Sequence, residues 1–96
     1  MAYAVCVTWI AKEGEEEAVA DALRQLVEPS RAEPGVRAYL PHRDPEDPRT
    51  FFVYELYDDE AAYQAHVETD HFQRHGLGDA IPRLAERQRT FYTPLQ

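Results

Sequence analysis

The chain is poor in several things at once. Among its 96 residues it holds a single cysteine, Cys6, one methionine, one tryptophan and four glycines. One cysteine excludes an internal disulfide framework and a cysteine-rich zinc site. Positive charge is also scarce, with 10 Lys and Arg against 18 Asp and Glu and a formal net charge of -8. A nucleic-acid surface needs clustered Lys and Arg, so no nucleic-acid partner is expected. No apolar run approaches the roughly 20 residues of a membrane span. The amino end lacks the basic, apolar and small-residue order of a signal peptide. GxGxxG, P-loop and GxSxG motifs are missing, which removes the usual pointers to nucleotide, phosphate and serine-hydrolase sites. These exclusions leave one domain, residues 1–96, expected in the cytoplasm without a membrane partner.

What is present is patterned. Residues 3–10, YAVCVTWI, are rich in β-branched and aromatic types and read as a strand. From Glu15 to about Val27 the period becomes helical: Ala18, Ala22 and Leu26 recur at four-residue spacing beside Val19, Leu23 and Val27. Glu15, Glu16 and Glu17 suit the positive end of the helix dipole, and Pro29 with the later Pro34-Gly35 is expected to end the helix. Residues 36–43 read as a second strand, with Pro41 marking an edge or a bulge. The proline- and acid-rich segment 44–49 reads as a hairpin loop, and TFFVYELY at 50–57 as a third strand. Asp58 or Asp59 can cap a second helix, a short irregular helical piece carries Phe72 and His75, and residues 86–93 close the chain as a fourth strand.

The order β-α-β-β-α-β predicts a ferredoxin-like α+β fold, an antiparallel sheet with helices on one face. Two helices cover one sheet face only. Yet strand one is apolar on both sides: Tyr3, Val5, Val7 and Trp9 oppose Ala4, Cys6 and Ile10. Strand three repeats this, with Phe51, Val53 and Tyr57 opposite Phe52, Tyr54 and Leu56. A lone domain would expose a patch of several hundred Å², on the order of the largest that monomers tolerate. A homodimer packed sheet against sheet is therefore expected.

Candidate chemistry centres on histidine. His66 shares a helical face with Ala62 and looks toward the sheet, where Glu55, the one acid on an apolar strand face, is its expected partner. A carboxylate that orients an imidazole makes a competent general base. The bland alternative is a hydrogen-bonded pair that ties helix to sheet. His71 and His75 are four apart, a spacing that can share a metal, with Glu68 and Asp79 as further donors. A solvated face is the simpler reading there, so no metal is expected. Tyr57 ends the strand that carries Glu55, and its phenol can reach a substrate oxygen. Val7, Trp9, Phe51, Tyr63 and Phe72 are candidate substrate walls, though such clusters are often plain core. Cys6 reads as an inert thiol, and Arg87 and Arg89 as solvated surface.

Residues 32–72 resemble the antibiotic biosynthesis monooxygenase superfamily, small dimeric α+β-barrel proteins. The resemblance rests on Pro34-Gly35 after the first helix, Tyr39, Arg43-Asp44, Glu55, the acidic turn, His66 and the His71-Phe72 pair. It implies a cleft between sheet and helices, a homodimer, and oxygenation of a quinol or polyketide-type phenol by dioxygen without a cofactor. On that reading His66 is the base, Glu55 orients it, and Tyr57 and His71 contact the small aromatic substrate. Tyr57 stands where many members have Trp, and the first strand lacks the Asn of haem-degrading relatives, which argues against haem chemistry. Alternatives are an isomerase using the same pocket and a non-catalytic binding or accessory protein.

Overall fold

A computed structural model describes residues 1–95. Four strands form one antiparallel sheet in the order β2-β3-β1-β4: β1 is Tyr3–Ala11, β2 Val36–Arg43, β3 Thr50–Tyr57 and β4 Leu84–Tyr92. Helices α1, Glu16–Arg31, and α2, Glu60–Val67, join them in the ferredoxin-like order. The first strand of the chain lies at the centre, paired to β3 and β4, which is where its apolar residues demand cover on both sides. Pro41 sits on β2, an edge strand, where its missing N–H costs no central ladder bond.

The elements begin and end for local reasons. Gly14 adopts a φ of +85, which reverses the chain ahead of α1. Asp59 caps α2 by accepting the Ala62 N–H at 2.8 Å. Contrary to expectation, Pro29 does not end α1; the helix runs on to Arg31 with the proline inside it. Proline forfeits one backbone bond, but the next turn is anchored. Ser30 is buried, Arg31 Nε donates to the Tyr39 carbonyl at 3.1 Å, and the Ala32 N–H returns to Glu28. After α2, residues Phe72–Ala80 form a wide π-helical segment, followed by a 3₁₀ turn over Ile81–Arg83. Gly76 makes that segment possible: a Cβ there would sit 2.9 Å from the Phe72 ring.

The two sheet faces differ in finish. The helix side carries Val5, Val7, Trp9, Tyr39, Phe51, Val53 and Tyr57, packed against Val19, Leu23 and Leu26 of α1 and Tyr63 of α2 in one buried core. Burying each such side chain contributes about 1.5–3 kcal/mol. The opposite face has no element over it among the described residues. Leu40, Phe52 and Tyr92 remain 44%, 39% and 55% exposed there.

Candidate active site

Glu55 is the sheet's one acidic residue turned into the core. Strand alternation places it on the helix side of β3, opposite Val5 of β1 and Tyr39 of β2, and it is only 6% exposed. The Tyr57 hydroxyl, two residues on and therefore on the same face, donates to Glu55 Oε1 at 2.5 Å. Burial raises the Glu55 carboxyl to about 7; the Tyr57 hydrogen bond lowers it, the Glu33 charge adds to the rise, and Arg89 opposes it. A carboxyl that exchanges protons near neutrality is suited to general acid–base work.

His66 projects from the last turn of α2 and is 1% exposed. Its partner is not Glu55. Its Nδ1 lies 2.8 Å from Glu33 Oε2, and the same oxygen lies 2.6 Å from Nε2 of His71. Glu33 belongs to the short connection after α1, just before Gly35, where the chain passes beneath α2. The approach is so close that a Cβ at Gly35 would meet the Ala62 Cβ at 2.5 Å. That contact brings the Glu33 backbone to the His66 side of α2. Burial pushes the imidazole of His66 below its ordinary value, and the hydrogen bond and charge of Glu33 offset part of the effect. The aromatic rings of Tyr39, Tyr57 and Phe72 surround it, with centroids 5.2–5.6 Å away.

Glu55 and His66 open onto one cavity of about 40 Å³. Its apolar walls are Val7 and Trp9 of β1, Val53, Tyr63, Val67, Phe72 and Ile81. That space holds water-sized molecules. Arg87 and Arg89, which were expected at the solvated surface, line the cavity as well and are solvent-exposed, so they mark its mouth. Arg89 donates to the Tyr63 hydroxyl at 2.7 Å. The β4 register explains their position: Arg87 pairs with Trp9 and Arg89 with Val7, both core-facing residues of β1.

Of the residues singled out from sequence, Val7, Trp9, Glu55, Tyr63, His66 and Phe72 come together around the cavity. Three do not line it. Tyr57 is fully buried with its hydroxyl committed to Glu55. Phe51 packs nearer the far end of the sheet, under Arg43. His71 lies on the other side of Glu33. His71 pairs with His66 and Glu33, whereas His75 takes no part in that cluster. Cys6 is on the outer face, opposite Tyr54 and Thr90, with its thiol pushed up by burial and by the Glu55 charge. Glu33 was missed because it stands in a loop, outside any periodic pattern; the Glu33-Pro34-Gly35 run before a strand was the available signal.

The fold and the cavity define a small α+β protein with a pocket beneath its helices that is lined by a buried carboxyl and a buried imidazole. Residues 2–76 match the antibiotic biosynthesis monooxygenase family, and the chain belongs to it. A crystal structure from Pseudomonas aeruginosa is 34% identical, covers 99% of this chain and 95% of its own, and superposes with a TM-score of 0.91. A Nitrosomonas europaea protein assigned by name to the antibiotic biosynthesis monooxygenases is 29% identical over 98% of this chain and 90% of that one, with a TM-score of 0.92. A Mycobacterium tuberculosis structure, 21% identical with a TM-score of 0.91 over 100% of this chain and 97% of its own, shares the fold. No curated protein matches the chain. No helix among the described residues is long and apolar enough to cross a membrane.

Proposed function

We propose that the protein is a monooxygenase that oxidises a quinol or polyketide-type phenol with dioxygen and needs no cofactor for the chemistry. The observation that carries this reading is that Glu55 and His66, each held by a different partner, both line one largely apolar cavity. His66, oriented by Glu33 through Nδ1, presents its other nitrogen as the base that removes a phenolic proton. The electron-rich phenolate then passes one electron to dioxygen, and the two radicals combine at a ring carbon as a peroxide. Loss of water leaves a carbonyl on that carbon. One oxygen atom stays in the product and the other departs as water, so the substrate supplies all the electrons. Glu55 holds or returns the proton at the peroxide oxygen. The dry walls of Trp9, Val53 and Phe72 shield the radical pair from solvent. An aromatic ring exceeds the present cavity, so admission requires Phe72 and the π-helical segment to give way.

The working form on this reading is a homodimer. The uncovered face, with Ala38, Leu40, Phe52, Tyr54 and Leu56, is a contiguous apolar surface on the side away from the helices, and a two-fold partner covers it with the same surface. Oxygen uptake with a panel of hydroquinones and polyketide-type phenols tests the activity. His66→Ala should lower turnover by about 100-fold or more, and unchanged uptake would remove His66 from the role. The narrowness of the cavity supports a second reading, a binding or accessory protein without turnover. Saturable binding of the same phenols with no oxygen consumption would favour it. Product formation without oxygen would instead identify an isomerase.

A further inference from the structure

Glu33, His66 and His71 form a second convergence, on the side of His66 away from the cavity. We propose that these three residues bind a first-row transition-metal dication of the zinc class. Glu33 Oε2, His66 Nδ1 and His71 Nε2 all lie within 4.8 Å of one another. Zinc bonds to nitrogen and oxygen at about 2.0–2.2 Å, which places ligand atoms about 3.4 Å apart around a tetrahedral ion. The carboxylate oxygen is 2.8 Å from one nitrogen and 2.6 Å from the other. A widening of somewhat over half an ångström admits the ion, and Glu33, in a loop, is free to make it.

The donors come from three stretches of chain: the α1–β2 connection, the last turn of α2, and the residue preceding the π-helical segment. Their side chains are 12%, 2% and 20% exposed for Glu33, His66 and His71 respectively, so the set is preorganised and reaches solvent on the His71 side. That side provides the approach for the ion and room for water as a fourth ligand. Among the described residues no Lys or Arg lies within ion-pair distance of the Glu33 carboxylate; its close partners are the two imidazoles. A dication would supply the missing fixed positive charge. Two imidazoles with one carboxylate suit zinc, cobalt, nickel or iron, and poorly suit the all-oxygen preferences of calcium and magnesium.

On the function proposed above, the site also has a consequence for the pocket. Without the ion, His66 donates a hydrogen bond from Nδ1–H to Glu33 and leaves Nε2 free to accept. An ion on Nδ1 puts the ring proton on Nε2 instead, so the group facing the cavity becomes a donor. Metal occupancy therefore switches the base off.

Cobalt(II) titration of the full chain tests the site without any need for turnover. One cobalt per chain, with the visible absorption of a low-coordinate nitrogen–oxygen site and displacement by zinc, is expected. His71→Ala and Glu33→Gln should each weaken binding by more than the roughly 10- to 100-fold that loss of an outer-shell partner costs, while His75→Ala binds as the parent does. Thermal melts establish that the variants are folded; His71 is exposed enough to be replaced without loss of core. A spectrum that stays that of hydrated cobalt would overturn the proposal. So would undiminished binding in both folded variants. If cobalt binds and no phenol is oxidised by the metal-free protein, the site stands and the oxygenase reading falls.

Discussion

The two faces of the sheet are built from the same strands and have opposite fates. On β1, Val5 and Val7 are fully or almost fully buried beneath α1 and α2, while Cys6, Thr8 and Ile10, their neighbours in sequence, are only partly covered. On β3, Phe51 is 3% exposed and Phe52 is 39% exposed. Side-chain chemistry alone does not separate the two phenylalanines; the helices do. The difference teaches that the covered side buries its polar exceptions and gives each a specific partner. Glu55 and His66 are placed in the covered core, where desolvation changes their proton affinity, and among the described residues the uncovered face buries no charged side chain of this kind.

Three changes would break or sharpen this contrast. The largest effect belongs to the covered face. Leu26→Ala removes a fully buried side chain from α1 and should cost about 2–5 kcal/mol in urea unfolding. A cost under about 1 kcal/mol would mean that the helix face collapses around the gap and is less tightly packed than the geometry shows.

Glu55 gives the next effect, through pH. Its carboxyl is raised from 4.5 to about 7 in the folded chain. The folded state therefore holds this proton more tightly than the unfolded chain does. The stabilising contribution is full below about pH 4.5 and is lost as pH rises through about 7, a swing of about 3 kcal/mol. Glu55→Gln removes that loss. Relative to the parent, the variant should gain stability as pH rises from 5 to 8, and a gap that does not change with pH would show that Glu55 titrates as an ordinary surface acid.

The smallest intrinsic effect belongs to the open face. Phe52→Lys should change the stability of an isolated chain by no more than about 0.5 kcal/mol. Its effect should appear in assembly: the parent sediments as a dimer at micromolar concentration and melts at a temperature that rises with concentration, and the variant does neither. If Phe52→Lys destabilises dilute monomer as much as Leu26→Ala does, the two faces are not different in the way described.

Much of this contrast is legible in the sequence, and the limits are physical. The alternation of TFFVYELY names Glu55 as an inward acid because a strand has a strict period of two. The α2 spacing likewise turns His66 inward on the face it shares with Ala62; that Tyr63 is buried beside it is seen only in the fold. What joins His66 to Glu33 is a loop, and a loop has no period to read. The Glu55–His66 pairing expected from sequence fails for that reason: Glu55 has a nearer partner in Tyr57, on its own strand face. Arg87 and Arg89 escape because a run of charged residues on an edge strand looks solvated until the register with β1 assigns each a side. Pro29 misleads because its effect is local, and buried Ser30 with the bonds of Arg31 and Ala32 carries the helix past it.

The edges of the sheet set the limit of assembly. On one side β2 presents Pro41, which has no N–H to offer an added strand. On the other, β4 presents Glu86, Arg87, Gln88 and Arg89, whose charges resist continuation of the ladder. Lateral growth, the route to fibrils, is closed at both ends. On the proposed dimer, association is left to stacking, which a single partner exhausts: an apolar surface that would threaten aggregation in an open-edged sheet would then be confined to a finite complex.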